Sequence, residues 1–178
     1  MNTTALATDR SDDILVTRAQ AGERDALAVL YGRHGRAVYT LALRLTANHA
    51  SAEDVVQETF LRAAQGLATF RGDAPVAAWL KRMAANAAID QLRKQRRMAA
   101  DDAIEALAAD AVDLGAAMDA VGLLQRLAPA ARSVLLLHEM EGYSHPEIAA
   151  MFGKTQSWSK SMLARTVARM HVWLQEEA

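Results

Sequence analysis

Two groups of side chains in this sequence have the types and spacing needed to handle nucleic acid. Arg82, Asn86, Asp90, Arg93 and Arg97 recur so that, at about 100° per residue, they share roughly one quadrant of a helix, with Trp79 on the same side. Basic side chains neutralise phosphates, an amide reads a base edge, and an indole stacks or wedges where a duplex opens. The second group is Gln156, Ser157, Lys160, Ser161 and Arg165. Lysine and arginine contact guanine edges or phosphates, and serine contacts either. From Lys154 to Arg169 there are four basic residues and no acid. Each group has a plainer reading: a solvated helix face with Trp79 against the core, or a helix-turn-helix with no specific target.

A third set suits a protein partner. Ser51 to Gln65 reads as one amphipathic helix, with Ser51 as N-cap and Asp54 three residues on, as in a capping box. Glu53 and Asp54 put negative charge in the first turn, where the helix dipole favours it. Val56, Phe60, Ala63 and Leu67 form a core face. Asp54, Gln57, Glu58, Leu61 and Gln65 form a separate stripe, acidic and amide with a leucine in its middle. The stripe is read as a docking surface; the alternative is a solvated face with one exposed leucine.

Other chemistries find little support. The chain has no cysteine, which excludes disulfides, thiolate metal sites and cysteine nucleophiles. His34, His49, His138, His145 and His171 have no metal-ligand spacing. No polar cluster of an enzyme pocket is evident, so neither catalytic residues nor a metal or other cofactor is expected. There is no apolar run long enough to span a membrane and no signal-peptide pattern, so a soluble, cytoplasmic protein is expected, without membrane insertion.

The elements that must position these residues are all helical. The 178 residues are 52% hydrophobic but only 5% aromatic, which favours helices over strands. Residues 1–10 are expected to be disordered, with a short helix over Asp12–Ala21 that starts at Ser11 and ends at Gly22. A long helix over Glu23–Thr46 buries Leu27, Leu30, Tyr31, Val38, Leu41, Ala42 and Leu45, and Asn48 and His49 make a turn. Ala68–Pro75 reads as a loop, followed by a helix to Arg97 that starts at Asp73 or Ala74 with Pro75 in its first turn. Met1–Arg97 holds 14 basic and 10 acidic residues, whereas Met98–Ala128 holds six acids and one arginine. An interdomain linker is therefore placed at 98–114, between domains at 1–97 and 115–178. Helices are expected over Ala116–Leu127, over Ala130–Met140 with Pro129 at its start, from the Ser144–Glu147 capping box to Phe152, and over Gln156–Gln175. Gly153 between the last two completes a helix-turn-helix pattern.

Three segments in this order resemble the extracytoplasmic-function group of bacterial sigma factors, in the sigma-70 superfamily. Ala52-Glu-Asp-Val-Val-Gln-Glu-Thr-Phe-Leu-Arg62 is similar to the family's core-polymerase-binding helix. Phe70-Arg-Gly-Asp73 with Trp79-Leu-Lys-Arg-Met-Ala-Ala-Asn-Ala-Ala-Ile-Asp-Gln-Leu-Arg93 resembles the segment that melts and reads the −10 element. Leu127-Ala-Pro-Ala-Ala-Arg132, Glu147-Ile-Ala149 and Lys160-Ser161 to Arg165 are similar to the −35-reading domain. The resemblance runs from about residue 12 to 175.

It implies an all-α protein of two four-helix domains on an acidic flexible linker, which binds core RNA polymerase and directs it to promoter DNA without catalysis of its own. It also implies a stress or envelope-signal regulon and an anti-sigma partner. The core-binding residues would be Asp54, Gln57, Glu58, Leu61 and Gln65. The −10 set would be Phe70, Arg71, Asp73, Trp79, Arg82, Asn86, Arg93, Lys94 and Arg97, with a base pocket supplied by the Phe70–Ala74 loop. The −35 set would be Gln156, Ser157, Lys160, Ser161, Ala164 and Arg165. The chain departs from the family pattern at Trp158-Ser159, at Met162 and at Ala164. The competing reading is a helix-turn-helix regulator that works without polymerase.

Overall fold

The computed structural model describes residues 3–98 and 120–176, with side chains over 11–95 and 122–176. The regular structure of those residues is helical: α1 Thr3–Gln20, α2 Arg24–Thr46, α3 His49–Gly66, a 3-10 turn Leu67–Thr69, α4 Val76–Met98, α5 Ala120–Gln125, α6 Pro129–Glu139, α7 His145–Phe152 and α8 Gln156–Glu176. The chain divides into two compact units, Met1–Ala88 and Ile89–Ala178, the division falling within α4. Apart from Met98, the expected linker lies outside the described residues, as do the first four residues of the helix expected from Ala116.

The first unit is built on α2 against α3. Leu30, Val38, Leu41, Ala42 and Leu45 of α2 are buried, as are Ala52, Val55, Val56, Phe60 and Ala63 of α3. Burying a large aliphatic side chain contributes roughly 1.5–3 kcal/mol, so this seam dominates the unit. Tyr31, expected in the core, is instead 52% exposed. Its ring lies edge-on against Phe60, with centroids 4.7 Å apart, so the apolar body is used while the rest faces solvent.

Three helix starts differ from those expected. Ser51 does not cap α3. Asn48 does, its side chain accepting from the Ser51 N–H at 2.8 Å, which places Ser51 one turn inside the helix and buried. Ala47 precedes it in the left-handed region (φ 52°) and donates its N–H to Leu43 O, closing α2. Nor does α1 start at Ser11. No glycine or proline interrupts Thr3–Gln20, and Ser11 and Asp12 are engaged elsewhere. Arg33 Nη1 donates to Ser11 Oγ at 2.6 Å and to the buried Asp12 carboxylate at 2.8 Å, and His34 Nε2 lies 2.9 Å from Asp12 Oδ2. With Leu15 and Val16 buried beside this cluster, α1 is fastened to α2 by both polar and apolar contacts. Before α4, Pro75 stands outside the helix and its carbonyl accepts from the Ala78 and Trp79 N–H groups.

In the second unit α8 packs on α6 and α7. Leu127, Val134, Leu137, Ile148 and Met162 are fully buried there. Pro129 opens α6, where a missing N–H costs nothing. The Glu147 carboxylate accepts from both the backbone N–H and the hydroxyl of Ser144, at 3.0 and 2.7 Å, and so fixes the start of α7. Gly153, at φ 63°, ends α7. Buried Trp173 carries Arg126 over its ring at 4.4 Å and Arg169 at 5.5 Å, tying α8 to the chain ahead of α6.

The α2–α3 connection gives a stability test. Asn48→Ala removes a cap and is expected to destabilise the first unit by about 1 kcal/mol. Ala47→Gly relieves a left-handed alanine and is expected to stabilise it by roughly 0.5–1 kcal/mol. Urea unfolding of both variants, with each unit followed by its own probe, checks the opposite signs.

Candidate functional site

Packing of α3 through one face leaves the expected stripe outward. Asp54, Gln57, Leu61 and Gln65 are exposed and Glu58 is half-buried. Leu61 is 57% exposed, a large apolar side chain ringed by polar ones. Arg62 donates to Glu58 at 2.6 Å, so Glu58 is held along the helix. Beside the stripe lies an open pocket of about 470 Å³ lined by Tyr31, Gly32, Gly35, Tyr39, Val56 and Gln57. Two glycines flanked by two tyrosines on α2 create this hollow, which was not anticipated; the Tyr-x₃-Gly-x₃-Tyr spacing that places Tyr31, Gly35 and Tyr39 on one side of a helix is its sequence signal.

The loop between the 3-10 turn and α4 is organised by an aromatic pair. Phe70 and Trp79 are both half-buried, with centroids 4.8 Å apart. Trp79 also packs against Gly66, where an added Cβ would stand 3.5 Å from the indole. Trp79 is thus neither free in solvent nor a core residue; it floors the loop. Arg71 and Asp73 are exposed, and Gly72 between them takes φ +74°, which lets the chain reverse. Along α4, Arg82 is exposed and Asn86 half-buried, one and two turns past Trp79 on the same side. Farther on, Arg93 is half-buried with Asp90 at 3.8 Å, and Lys94 is exposed. Arg97 belongs to α4, but its side chain lies outside those described.

On α8 the expected face is intact. Gln156, Ser157, Lys160, Ser161, Ala164 and Arg165 are all exposed, in alternating steps of one and three residues that keep them on one side. Ser159, Met162 and Thr166 are fully buried on the other side, and Trp158 is half-buried against Phe152 with centroids 5.1 Å apart. Of the departures from the family pattern, Ser159 and Met162 therefore serve the interior and Trp158 braces α7; only Ala164 stands on the exposed face.

Both parts of the chain have counterparts among known proteins. Residues 30–98 match the family model of sigma-70 region 2, and residues 118–170 match that of sigma-70 region 4. The chain is 32% identical over 164 residues to the ECF RNA polymerase sigma factor SigM of Mycobacterium tuberculosis, covering 91% of this chain and 84% of that protein. It is 36% identical over 142 residues to the RNA polymerase sigma factor CarQ of Myxococcus xanthus, covering 76% and 82%. The solved structure of CnrH, in complex with the cytosolic domain of CnrY, aligns over 94% of this chain and 99% of that one, with TM-score 0.57 and 26% identity. This chain belongs to the extracytoplasmic-function sigma factors of the sigma-70 family. It is a transcription initiation factor that binds core RNA polymerase and directs promoter recognition. Among the described residues no helix is long and apolar enough to cross a membrane, and no three acidic or histidine side chains are grouped to hold a metal.

In this sigma factor the second unit also contains a histidine pair, one ring on α6 and the other on α7. His138 closes α6 and His145 opens α7; their rings stack with centroids 4.3 Å apart and planes 16° apart. His138 Nδ1–H donates to Tyr143 O at 2.9 Å, and His145 Nδ1 meets the buried Ser159 hydroxyl of α8 at 3.0 Å. Burial, then the neighbouring His138 and Lys160 charges, hold His145 below the usual histidine range, with Glu139 opposing. An unfolded histidine takes up its proton near pH 6.5, whereas His145 in the fold resists doing so. Its contribution is therefore present above about pH 6.5 and is lost as pH falls through its depressed native value. The second unit of wild type is expected to lose more stability between pH 7 and pH 5 than that of His145→Gln, as read by denaturant unfolding across that range.

Proposed function

We propose that the polymerase and promoter contacts of this sigma factor are divided among the three exposed faces. Asp54, Gln57, Glu58, Leu61 and Gln65 dock on core polymerase. Phe70, Arg71, Asp73, Trp79, Arg82, Asn86, Arg93, Lys94 and Arg97 engage the −10 element. Gln156, Ser157, Lys160, Ser161, Ala164 and Arg165 engage the −35 element. The observation that carries this reading is the separation on single helices: α3 and α8 each bury one side and leave the other side chemically distinct and free. On α3 the free side offers a leucine among acids and amides, suited to a partner with a basic, partly apolar surface. On α8 it offers Lys160 and Arg165 with small polar neighbours, which can lie close to base edges in a major groove.

The −10 set combines an aromatic floor, an exposed loop and cations along α4. An unpaired base seated on the loop can meet Trp79 and the amide of Asn86, while Arg82 and the later cations neutralise phosphate. Domain limits of 1–97 and 115–178 with a linker at 98–114 suit this division of labour, because each promoter element then has its own domain, although by packing the end of α4, with Arg93, Lys94 and Arg97, groups with the second unit. The chain's part is recognition in the cytoplasm; the catalytic step belongs to the polymerase. A regulon answering stress or envelope signals, and restraint by an anti-sigma factor, are expected from the family; the solved structure of CnrH with the cytosolic domain of CnrY supports the idea of a protein partner.

Changing Asp54, Gln57 and Leu61 together to Ala, Ala and Arg is expected to weaken core binding by roughly tenfold or more while leaving the helical content unchanged, since the stripe is not part of the core. Competition for core polymerase measures it, and wild-type affinity in the triple variant would remove the docking assignment. Lys160→Ala and Arg165→Ala are each expected to weaken binding to the upstream duplex by roughly 1–3 kcal/mol, and selectively, if they contact bases. A loss equal on all sequences, with the salt slope reduced by about one per residue, would reassign them to phosphate.

A further inference from the structure

One side chain at the end of α1 reaches the candidate −10 loop. The Gln20 amide donates through Nε2 to Leu67 O at 3.1 Å and to Phe70 O at 3.0 Å. These carbonyls stand at the two ends of the 3-10 turn, which is itself closed by the Phe70 N–H on Leu67 O at 3.0 Å. One amide group therefore spans the base of the loop. A primary amide has two N–H donors, so both bonds can be made at once.

The rest of the loop has little to hold it. Among the described residues no backbone-to-backbone bond is made from Arg71 to Ala74, and the side chains of Arg71 and Asp73 are exposed. Phe70 leans on Trp79, which sets the ring but leaves the carbonyl side unrestrained. Gln20 holds that carbonyl side. Its own position is stiff: α1 is pinned to α2 by the buried Asp12 with Arg33 and His34, and its end is closed by the Arg18–Glu23 ion pair at 2.7 Å. Helix α1 also packs on the 3-10 turn.

We infer that Gln20 is a positioning residue for −10 recognition, holding the Phe70–Ala74 loop in the shape that receives an unpaired promoter base. This rests on the assignment of that loop to the −10 element. Gln20 touches no DNA in this scheme; it acts through the two carbonyls. Replacing the amide by a carboxylate turns the donor into an acceptor facing two other acceptors, so Gln20→Glu is expected to be worse than Gln20→Ala.

The test uses holoenzyme assembled from core polymerase and the full chain. The probe is a fluorescent single-stranded oligonucleotide selected by wild-type holoenzyme from a randomised pool, alongside a selected −35 duplex. Gln20→Ala is expected to bind the single strand roughly five- to a hundredfold more weakly, as for loss of two neutral hydrogen bonds, and Gln20→Glu more weakly still. Affinity for core polymerase and for the −35 duplex stays at the wild-type level in both. Phe70→Ala serves as the control for the loop itself. If Phe70→Ala loses single-strand binding while both Gln20 variants keep it, the inference is overturned and the loop assignment stands. If Phe70→Ala also binds as wild type, the loop assignment fails and the inference goes with it. A parallel loss of core affinity in the Gln20 variants would show a general folding role and overturn the inference.

Discussion

The burial of one side of α3 against α2 is the constraint on which the first unit depends. A helix turns about 100° per residue, so once Val55, Val56, Phe60 and Ala63 face α2, the outward direction of Asp54, Gln57, Leu61 and Gln65 is no longer adjustable. The apolar seam is worth several side chains at roughly 1.5–3 kcal/mol each, whereas ion pairs along the exposed face, such as Arg62 with Glu58, contribute at most about 1 kcal/mol. Orientation of the exposed stripe is therefore set by what it does not contain. The same seam carries the 3-10 turn at its end, since Leu67 is buried and Gly66 lies under Trp79.

In the second unit the same logic holds α8. Met162 and Thr166 are buried one turn apart and Trp173 two turns farther on, and the face between Gln156 and Arg165 is left outward as a consequence. The helix ahead of it is short, eight residues, and an isolated helix of that length is not stable in water. Its ends are accordingly well fastened: Ser144 with Glu147 at the start, Gly153 at the finish, and the Trp158–Phe152 contact across the turn. Trp158, Ser159 and Met162 make sense as parts of this bracing rather than as altered readers of DNA.

Polar groups inside the fold serve alignment. The Asp12 carboxylate, 2% exposed, meets Arg33 and His34 and fixes how α1 lies on α2. A buried carboxylate without such partners would carry a heavy desolvation penalty, so the pairing admits one placement of α1 and disfavours slippage. Through α1 the same cluster reaches Gln20 and the loop. The His138–His145 stack does something comparable in the second unit, bringing the end of α6, the start of α7 and Ser159 of α8 together at one point.

Much of this was written in local sequence. The all-helical class, the two stripes and the Ser144–Glu147 start depend on residue type and helical period, which are properties of neighbouring positions. So do the glycine stop at 153 and the exposed face from Gln156 to Arg165. What local pattern does not carry is competition among partners. Ser51 and Asn48 are both good caps, and the burial of Ser51 in the packed unit decided for Asn48. Ser11 reads as a helix start until Arg33, twenty-two residues away, is seen to take its hydroxyl. Tyr31 has the right period for the core, yet its ring lies across Phe60 at the surface and stays half exposed. Gln20 has no signal at all, because its partners are backbone carbonyls forty-seven and fifty residues on, and any residue has a carbonyl. Periodicity determined which faces this chain would have; only the tertiary structure decided which side chains would meet across the gaps between helices, because those meetings depend on distances that sequence separation does not encode.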